Sequence, residues 1–249
     1  NIEVVTSSAE DYLASCKEQF DWVYADPDRR TAEGRRVVRL EDCSPNMIAL
    51  WPAIKRVSQR VAIKNSPLFD VEEAFRLFGH CGVEVLSLAG ECKEVMIYAD
   101  GREPALAAEA VGKGRVEFKR SEIVNWPMPE EFAAAEYSHL IIPDVALQKA
   151  RLVRHALHDV ADVWSENSFG FARTETRDVL GRVEEIARIE PFDMKALKRE
   201  LKGVGTDITM RDFPHPLDEV RRRTGMRSGN EVRLALTRVE GKCYTIYLK

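Results

Sequence analysis

Asp26, Pro27, Asp28, Arg29 and Arg30 are five consecutive residues whose types could do chemistry. A carboxylate can accept a proton or orient a donor. Neighbouring guanidiniums can hold an oxyanion through forked hydrogen bonds. The run follows Trp22-Val23-Tyr24-Ala25, which is short, apolar and β-prone, with Asp21 before it. A strand buried on both faces of a parallel sheet reads this way. Ligands of open α/β sheets sit just beyond the carboxyl ends of the strands. A carboxylate, a rigid proline turn and two arginines at such an end therefore point to a site. The competing reading is a strand followed by an ordinary charged turn.

Other residues extend the candidate site. Arg35, Arg36 and Arg39 lie in the polar loop Thr31 to Cys43 and could grip phosphates with Arg29 and Arg30. Alternatively these arginines pair with Glu33, Glu41 and Asp42. Ser66-Pro67 ends a later strand and is expected to form the opposite wall, while Lys64 reads as a solvated strand-end lysine. His155, His158, Asp159 and Asp162 have a spacing that would allow a metal face on a helix, but with no further ligand a polar face is favoured, so no metal is expected. Cys43 adjoins no activating base and is a weak candidate nucleophile.

The elements that must position these groups follow from periodicity and punctuation. Ile2 to Thr6 reads as a strand. Ser7 and Ser8 cap a helix over Ala9 to Cys16, with Glu10 and Asp11 favourable at its positive end. Ser44-Pro45 opens a helix from Met47 to Val57, in which Pro52 predicts a kink or break. Val61 to Lys64 is a strand, Val71 to Phe78 a helix, and Val83 to Leu88 with Glu94 to Tyr98 a hairpin. The alternation over residues 1–100 predicts a parallel sheet with helices on its faces that ends antiparallel. Glu103 to Gly114 reads as a connector and Arg115 to Arg120 as a strand. After the break Trp126-Pro127-Met128-Pro129, Tyr137 to Ile142 is a strand. Val145 to Val163 is a single long helix by its apolar spacing. The last region predicts Val183 to Ile189 as strand or short helix, a helix from Met194 to Leu201 capped by Asp193, a strand from Asp207 to Arg211, a helix from Pro216 to Thr224, and a hairpin around Glu240-Gly241.

Composition bounds the class. The 249 residues are 45% hydrophobic and 31% charged, enough for one large domain or two to three small ones. No apolar run approaches the roughly 20 residues of a membrane helix. No secretory leader is read. The five cysteines are scattered, without C-x-x-C spacing, which favours a reducing cytoplasm over a zinc site or disulfide framework. The net charge of −4 is uneven: residues 181–249 carry 15 Lys and Arg against 11 Asp and Glu. That asymmetry suits an anionic partner or an ordinary basic surface. The chain begins at Asn1 with what reads as a buried strand, so a piece of a longer polypeptide is expected.

Three segments together resemble a known family. The order of Ser7-Ser8-Ala9-Glu10, Asp26-Pro27 and the hairpin Val83 to Tyr98 resembles the second half of a class I S-adenosylmethionine (SAM)-dependent methyltransferase. The stretch YSHLIIPDVALQKARL, Tyr137 to Leu152, is similar to the small ferredoxin-like insert of bacterial methyltransferases with a THUMP-like C-terminal domain. Gly181-Arg182-Val183, Leu197-Lys198, Asp218-Glu219-Val220-Arg221 and the closing LALTRV resemble that domain itself. The resemblance implies an α/β fold: the C-terminal half of a Rossmann-like methyltransferase sheet over residues 1–114, then small α+β modules, ferredoxin-like over 115–178 and THUMP-like over 179–249. It implies that Ser7, Ser8, Ala9 and Glu10 touch the cofactor SAM. Asp26, Pro27, Arg29 and Arg30 would line the methyl-transfer pocket, and Arg35, Arg36, Ser66 and Pro67 would meet the substrate. Lys198, Arg199, Lys202, Arg221, Arg222, Arg223 and Arg227 would contact structured RNA.

Two departures qualify these expectations. The family's glycine-rich SAM loop and the acidic end of its second strand are absent from this sequence, so weak or no SAM binding, and an inactive fragment, are expected. Where exocyclic-amine methyltransferases place an aromatic after the prolines, this sequence has Asp28, Arg29 and Arg30, which leaves the acceptor atom open. The reading is therefore a methyltransferase acting on RNA when full length. The alternative is a non-catalytic nucleic-acid-binding or scaffold protein of the same fold.

Overall fold

A computed structural model describes residues 2–30 and 34–249. Its contacts divide the chain into two units, residues 1–123 with 145–150, and residues 124–144 with 151–249. Three modules with boundaries after 114 and 178 were expected.

The first unit is built on a six-stranded sheet. Its elements are α1 (Ala9–Ser15), β1 (Val23–Ala25), α2 (Met47–Val57), β2 (Val61–Asn65), α3 (Val71–Phe78), β3 (Gly82–Leu88), β4 (Glu91–Ala99), β5 (Ala105–Ala110), β6 (Gly114–Lys119) and α4 (Val145–Lys149). The strand order is β1-β2-β4-β3-β5-β6. The β1–β2 and β3–β5 pairs are parallel, and β2–β4, β3–β4 and β5–β6 are antiparallel. The β3–β4 hairpin turns through Ala89 and Gly90, both at positive φ.

One face of this sheet carries the core. Val61, Ile63, Val83, Val85, Val95 and Ile97 alternate inward and are fully buried. Helix α3 packs on β4, and α4 packs on β3, β4 and β5. The opposite face is polar: Tyr98 donates to Glu84, and Arg115 pairs with Glu84, Glu109 and Glu117.

Several expectations are corrected here. Ile2 to Thr6 forms no strand, and Ile2 and Val4 are almost fully exposed, because an apolar β-prone run becomes a strand only where a partner supplies hydrogen bonds. Strand β1 is not buried on both faces: it is an edge strand among the described residues, and Trp22 and Tyr24 are exposed. Asn46, not Ser44, caps α2, its Oδ1 accepting from the backbone of Ile48 and Ala49. Pro52 is accommodated within that helix, which runs on to Val57. The alanine-rich connector is strand β5, whose small side chains are buried beside β3. Strand β6 closes this first sheet instead of opening a separate module.

The second unit holds β7 (His139–Pro143), α5 (Val153–Leu157), β8 (Asp162–Val163), β9 (Gly170–Ala172), β10 (Gly181–Pro191), α6 (Met194–Leu201), β11 (Gly205–Arg211), α7 (Leu217–Thr224), β12 (Arg227–Ser228), β13 (Val232–Val239) and β14 (Lys242–Leu248). They form one eight-stranded sheet, β12-β11-β13-β14-β10-β7-β9-β8. Strand β10 spans both halves, pairing first with β7 and then with β14, and its register shifts between Ile186 and Arg188. One core gathers Phe132, Tyr137, Trp164, Phe169 and Phe171 against β13 and β14. The other packs Leu197, Leu201 and Val220 of α6 and α7 on Ile208, Leu234 and Leu236.

The single long helix over residues 145–163 is not formed. Arg151 takes φ +56° between α4 and α5, and Asp162 and Val163 are strand. The apolar spacing was real, since Leu147, Leu152, Val153 and Leu157 are all buried. It belongs to two short helices. The C-terminal expectations over 193–248 hold: Asp193 caps α6, Gly225 closes α7 in the left-handed region, and Glu240-Gly241 turn the last hairpin.

Candidate functional site

The parallel pairing of β1 with β2 sets the site. Ala25 lies opposite Ile63, so the next residues along each strand, Asp26 and Lys64, come side by side. Lys64 Nζ donates to Asp26 Oδ2 at 2.9 Å, and Glu94 Oε2 lies 3.9 Å from the same ammonium. The hydrogen bond to Asp26 holds the Lys64 ammonium above the usual lysine range. Lys64 is therefore not a solvated strand-end lysine. Its signal in the sequence was that both parallel strands end in a charge of opposite sign.

Beyond Asp26 opens a cavity of about 480 Å³ lined by residues 26–30, 36–38 and 66–68. Asp26, Pro27, Arg29 and Arg30 thus share a lining with Arg36, Ser66 and Pro67, while Arg35 is outside it. Pro27 is buried and fixes the turn. The segment after it is strapped down. Asp28 and Ser44 exchange backbone hydrogen bonds of 2.8 and 2.9 Å, and Val37 donates to the Arg29 carbonyl at 2.8 Å. Arg30 and Arg36 form an antiparallel bridge, and Asp28 Oδ1 accepts from the Arg30 backbone at 3.1 Å. Glu33, an expected partner of the arginines, lies outside the described residues. Glu41 Oε2 is buried without a hydrogen-bond partner, so that oxygen engages none of them.

A second, mostly apolar cavity of about 280 Å³ touches Asp26 and Pro27 from the other side. Ala9, Tyr12 and Leu13 of α1 line it, with Tyr24, Met47 and Leu50. Ala9 of the expected cofactor turn therefore reaches the same wall as Asp26. Ser7, Ser8 and Glu10 do not line it; they are exposed, and Ser8 Oγ accepts from the Asp11 backbone as the cap of α1. Cys43 is buried with its Sγ 3.3 Å from the Arg39 carbonyl, and burial pushes its thiol up, which suits a structural residue and not a nucleophile.

The histidines and basic residues of the second unit separate by role. No cluster of metal ligands forms among the described residues. His158 stacks on Trp126 with ring centroids 3.8 Å apart, and Trp126 Nε1 donates to His155 Nδ1 at 3.3 Å. Lys198, Arg199, Lys202 and Arg222 are exposed. Arg221 is half-buried and donates to the Thr206 carbonyl at 3.1 Å, Arg227 Nε donates to the Gly203 carbonyl at 2.7 Å, and Arg223 pairs with Glu219 at 3.1 Å. Of the seven proposed RNA contacts, Arg221 and Arg227 thus also tie segments of the fold together, while Arg223 is paired within its own helix.

Comparison with known proteins places this geometry in context. Residues 181–248 match the THUMP domain-like family. Two relatives from Mycobacterium tuberculosis, strains CDC 1551 and H37Rv, each named as an uncharacterized S-adenosylmethionine-dependent methyltransferase, are 26% identical over 224 residues. Those residues cover 87% of this chain and 60% of each relative. The fold is similar to a crystal structure from Porphyromonas gingivalis W83 described as a methyltransferase, with a TM-score of 0.77 at 24% identity, over 92% of this chain and 59% of that one. In sequence and fold the chain resembles class I SAM-dependent methyltransferases that carry a THUMP-like domain. It spans about three fifths of the length of the relatives it matches.

Proposed function

We propose that this chain supplies the acceptor side of a SAM-dependent methyltransferase acting on RNA, as part of a longer polypeptide. The observation that carries the reading is the placement of Asp26-Pro27 at the carboxyl end of β1, facing Ser66-Pro67 across one cavity. This is where an open α/β sheet presents its ligands.

The residues present fit part of SAM. The apolar cavity against Ala9, Tyr12 and Tyr24 suits a flat heterocycle, and its wall is shared with Asp26 and Pro27. When bound, SAM supplies an electrophilic methyl group on a sulfonium. The chain's own residues do the positioning. Pro27 rigidifies the turn, and Asp26 accepts a hydrogen bond from the acceptor so that its attacking atom is held in line. Lys64 ties up Asp26 Oδ2, which leaves Oδ1 for the acceptor. An acceptor that carries a proton releases it to Asp26 or to water. Lys198, Arg199 and Arg222 of the C-terminal domain contact RNA through its backbone.

The alternative, a non-catalytic nucleic-acid-binding or scaffold protein, is favoured by the exposed basic residues of α6 and α7, which need no catalysis to bind RNA. Tritium transfer from labelled SAM to total RNA separates the two. The chain and a polypeptide of the relatives' full length are assayed, each with and without Asp26→Asn. Transfer by the longer protein that is lost on Asp26→Asn supports the enzyme. RNA binding with no transfer from either protein supports the alternative.

A further inference from the structure

The cavity beyond Asp26 has an excess of unspent positive charge. Arg29, Arg30 and Arg36 line it together, and none of the three forms an ion pair among the described residues. Of the two carboxylates in the lining, Asp26 is paired with Lys64 Nζ, and Asp28 Oδ1 accepts from the Arg30 backbone N–H while keeping its charge, so three guanidiniums face one carboxylate that no base engages. Ser66 Oγ accepts from the Leu68 backbone at 3.2 Å, and its hydroxyl proton remains to donate.

The guanidiniums are also held together. The Arg30–Arg36 bridge puts their backbones side by side, and the hydrogen bond from Val37 to the Arg29 carbonyl fixes the third. Three guanidiniums gathered beside one carboxylate that no base engages, Asp28, repel one another, and a surface loop under no constraint would spread them or supply further acids. A strapped ladder whose three arginines line one cavity, with no ion pair among the described residues, is complementary to a ligand with several anionic oxygens.

We infer that Arg29, Arg30 and Arg36, with the Ser66 hydroxyl, form a phosphate-binding subsite that seats an RNA backbone phosphodiester beside Asp26. This rests on the reading of Asp26 as the acceptor pocket and narrows the acceptor to a group carried next to a phosphate. A free mononucleotide would offer the same chemistry. Base edges play no part in the subsite, so it positions the strand without reading sequence.

The test uses the chain as it stands. Binding of a short single-stranded RNA is measured by fluorescence anisotropy across a salt series, for the wild type, Arg30→Gln/Arg36→Gln, Arg29→Gln and, as a comparison, Lys198→Gln/Arg222→Gln. Inorganic phosphate serves as competitor, and thermal melting confirms that each variant is folded. Arg30→Gln/Arg36→Gln should weaken RNA binding at least about tenfold, since hydrogen bonds to charged groups are worth roughly 1.5–3 kcal/mol each. The slope of log affinity on log salt should fall by about one for each phosphate that is no longer neutralised. Phosphate should compete with the wild type and not with the double variant. Unchanged affinity and slope in a folded double variant would overturn the subsite. Arginine-dependent binding of inorganic phosphate, measured directly by calorimetry, without any RNA binding would overturn the backbone assignment in favour of a mononucleotide. Methyl transfer is scored separately: arginine-dependent RNA binding by a protein whose full-length form transfers no methyl group would fail the enzyme reading and leave the subsite standing.

Discussion

Lys64 on β2 and Asp26 after β1 meet at 2.9 Å because two parallel strands end in register. The pair is partly exposed, with side chains 29% and 42% accessible, so its contribution to folding is small, at most about 1 kcal/mol. Under the proposed function its value lies in orienting Asp26. Lys64→Met should change the stability of the protein by less than about 1 kcal/mol in urea unfolding. If Asp26 holds the acceptor as proposed, Lys64→Met should still lower methyl transfer by a polypeptide of the relatives' full length, with a larger effect on kcat than on SAM affinity. The stabilising part is present below the unfolded lysine pKa and is lost as pH rises through the raised folded value. The difference between wild type and Lys64→Met should therefore be flat at neutral pH and shrink only in alkaline buffer. A difference that grew in strongly alkaline buffer would contradict this.

Arg221 and Arg222 are neighbours with different duties. Arg221→Ala removes a half-buried hydrogen bond to the Thr206 carbonyl and should destabilise the protein by about 1–2 kcal/mol. Arg222→Ala should be within about 0.5 kcal/mol of wild type. If both melt alike, the assignment of Arg221 to the fold is wrong. RNA binding by this unit is accordingly tested with Lys198, Arg199 and Arg222, whose substitution does not confound affinity with folding.

Gly229 sits against Gly205 so closely that an added Cβ would lie 2.7 Å from the Gly205 Cα. The obstacle is backbone, which cannot swing aside. Gly229→Ala should cost about 2 kcal/mol or more and separate β12 from β11. Hydrogen exchange at the amides of residues 227 and 229, which donate to the Val204 and Thr206 carbonyls, reports that separation. Unchanged protection there would show that the strands stay paired and that the contact is relieved without their separation.

Cys81 and Cys43 are buried, and burial pushes both thiols up, Cys81 to about 11. The unfolded thiol ionises before the folded one, so stability due to these groups is full below the unfolded pKa and is lost as pH rises through the folded value. Cys81→Ala should therefore reduce the alkaline loss of stability, whatever it costs at neutral pH. With a thiol reagent at neutral pH, Cys43 and Cys81 should react only as the protein unfolds. Rapid labelling of either in the folded state would contradict their burial.

Much of the chain was legible because its signals are local. Asp193 with α6, Gly225 after α7 and the Glu240-Gly241 hairpin depend on residues within a few positions of one another. The misreadings share one cause. Ile2 to Thr6 and Ala105 to Ala110 have strand status decided by whether a partner lies alongside, and the first has none among the described residues while the second pairs with β3 and β6. Residues 145–163 keep helical spacing across Arg151, whose positive φ turns the chain without disturbing the apolar pattern.

The sequence by itself determined the α/β class, the caps and turns, the chemistry gathered at Asp26-Pro27-Asp28-Arg29-Arg30 and the resemblance to a methyltransferase with a THUMP-like domain. Tertiary structure alone decided that Lys64 belongs to Asp26, that Arg29, Arg30 and Arg36 share a cavity with no ion pair among the described residues, and that Arg221 serves the fold while Arg222 faces water. The reason is that a residue's type and its near neighbours set its local conformation. Its partners across a sheet or a cavity are set by strand register and loop closure, which join residues tens of positions apart.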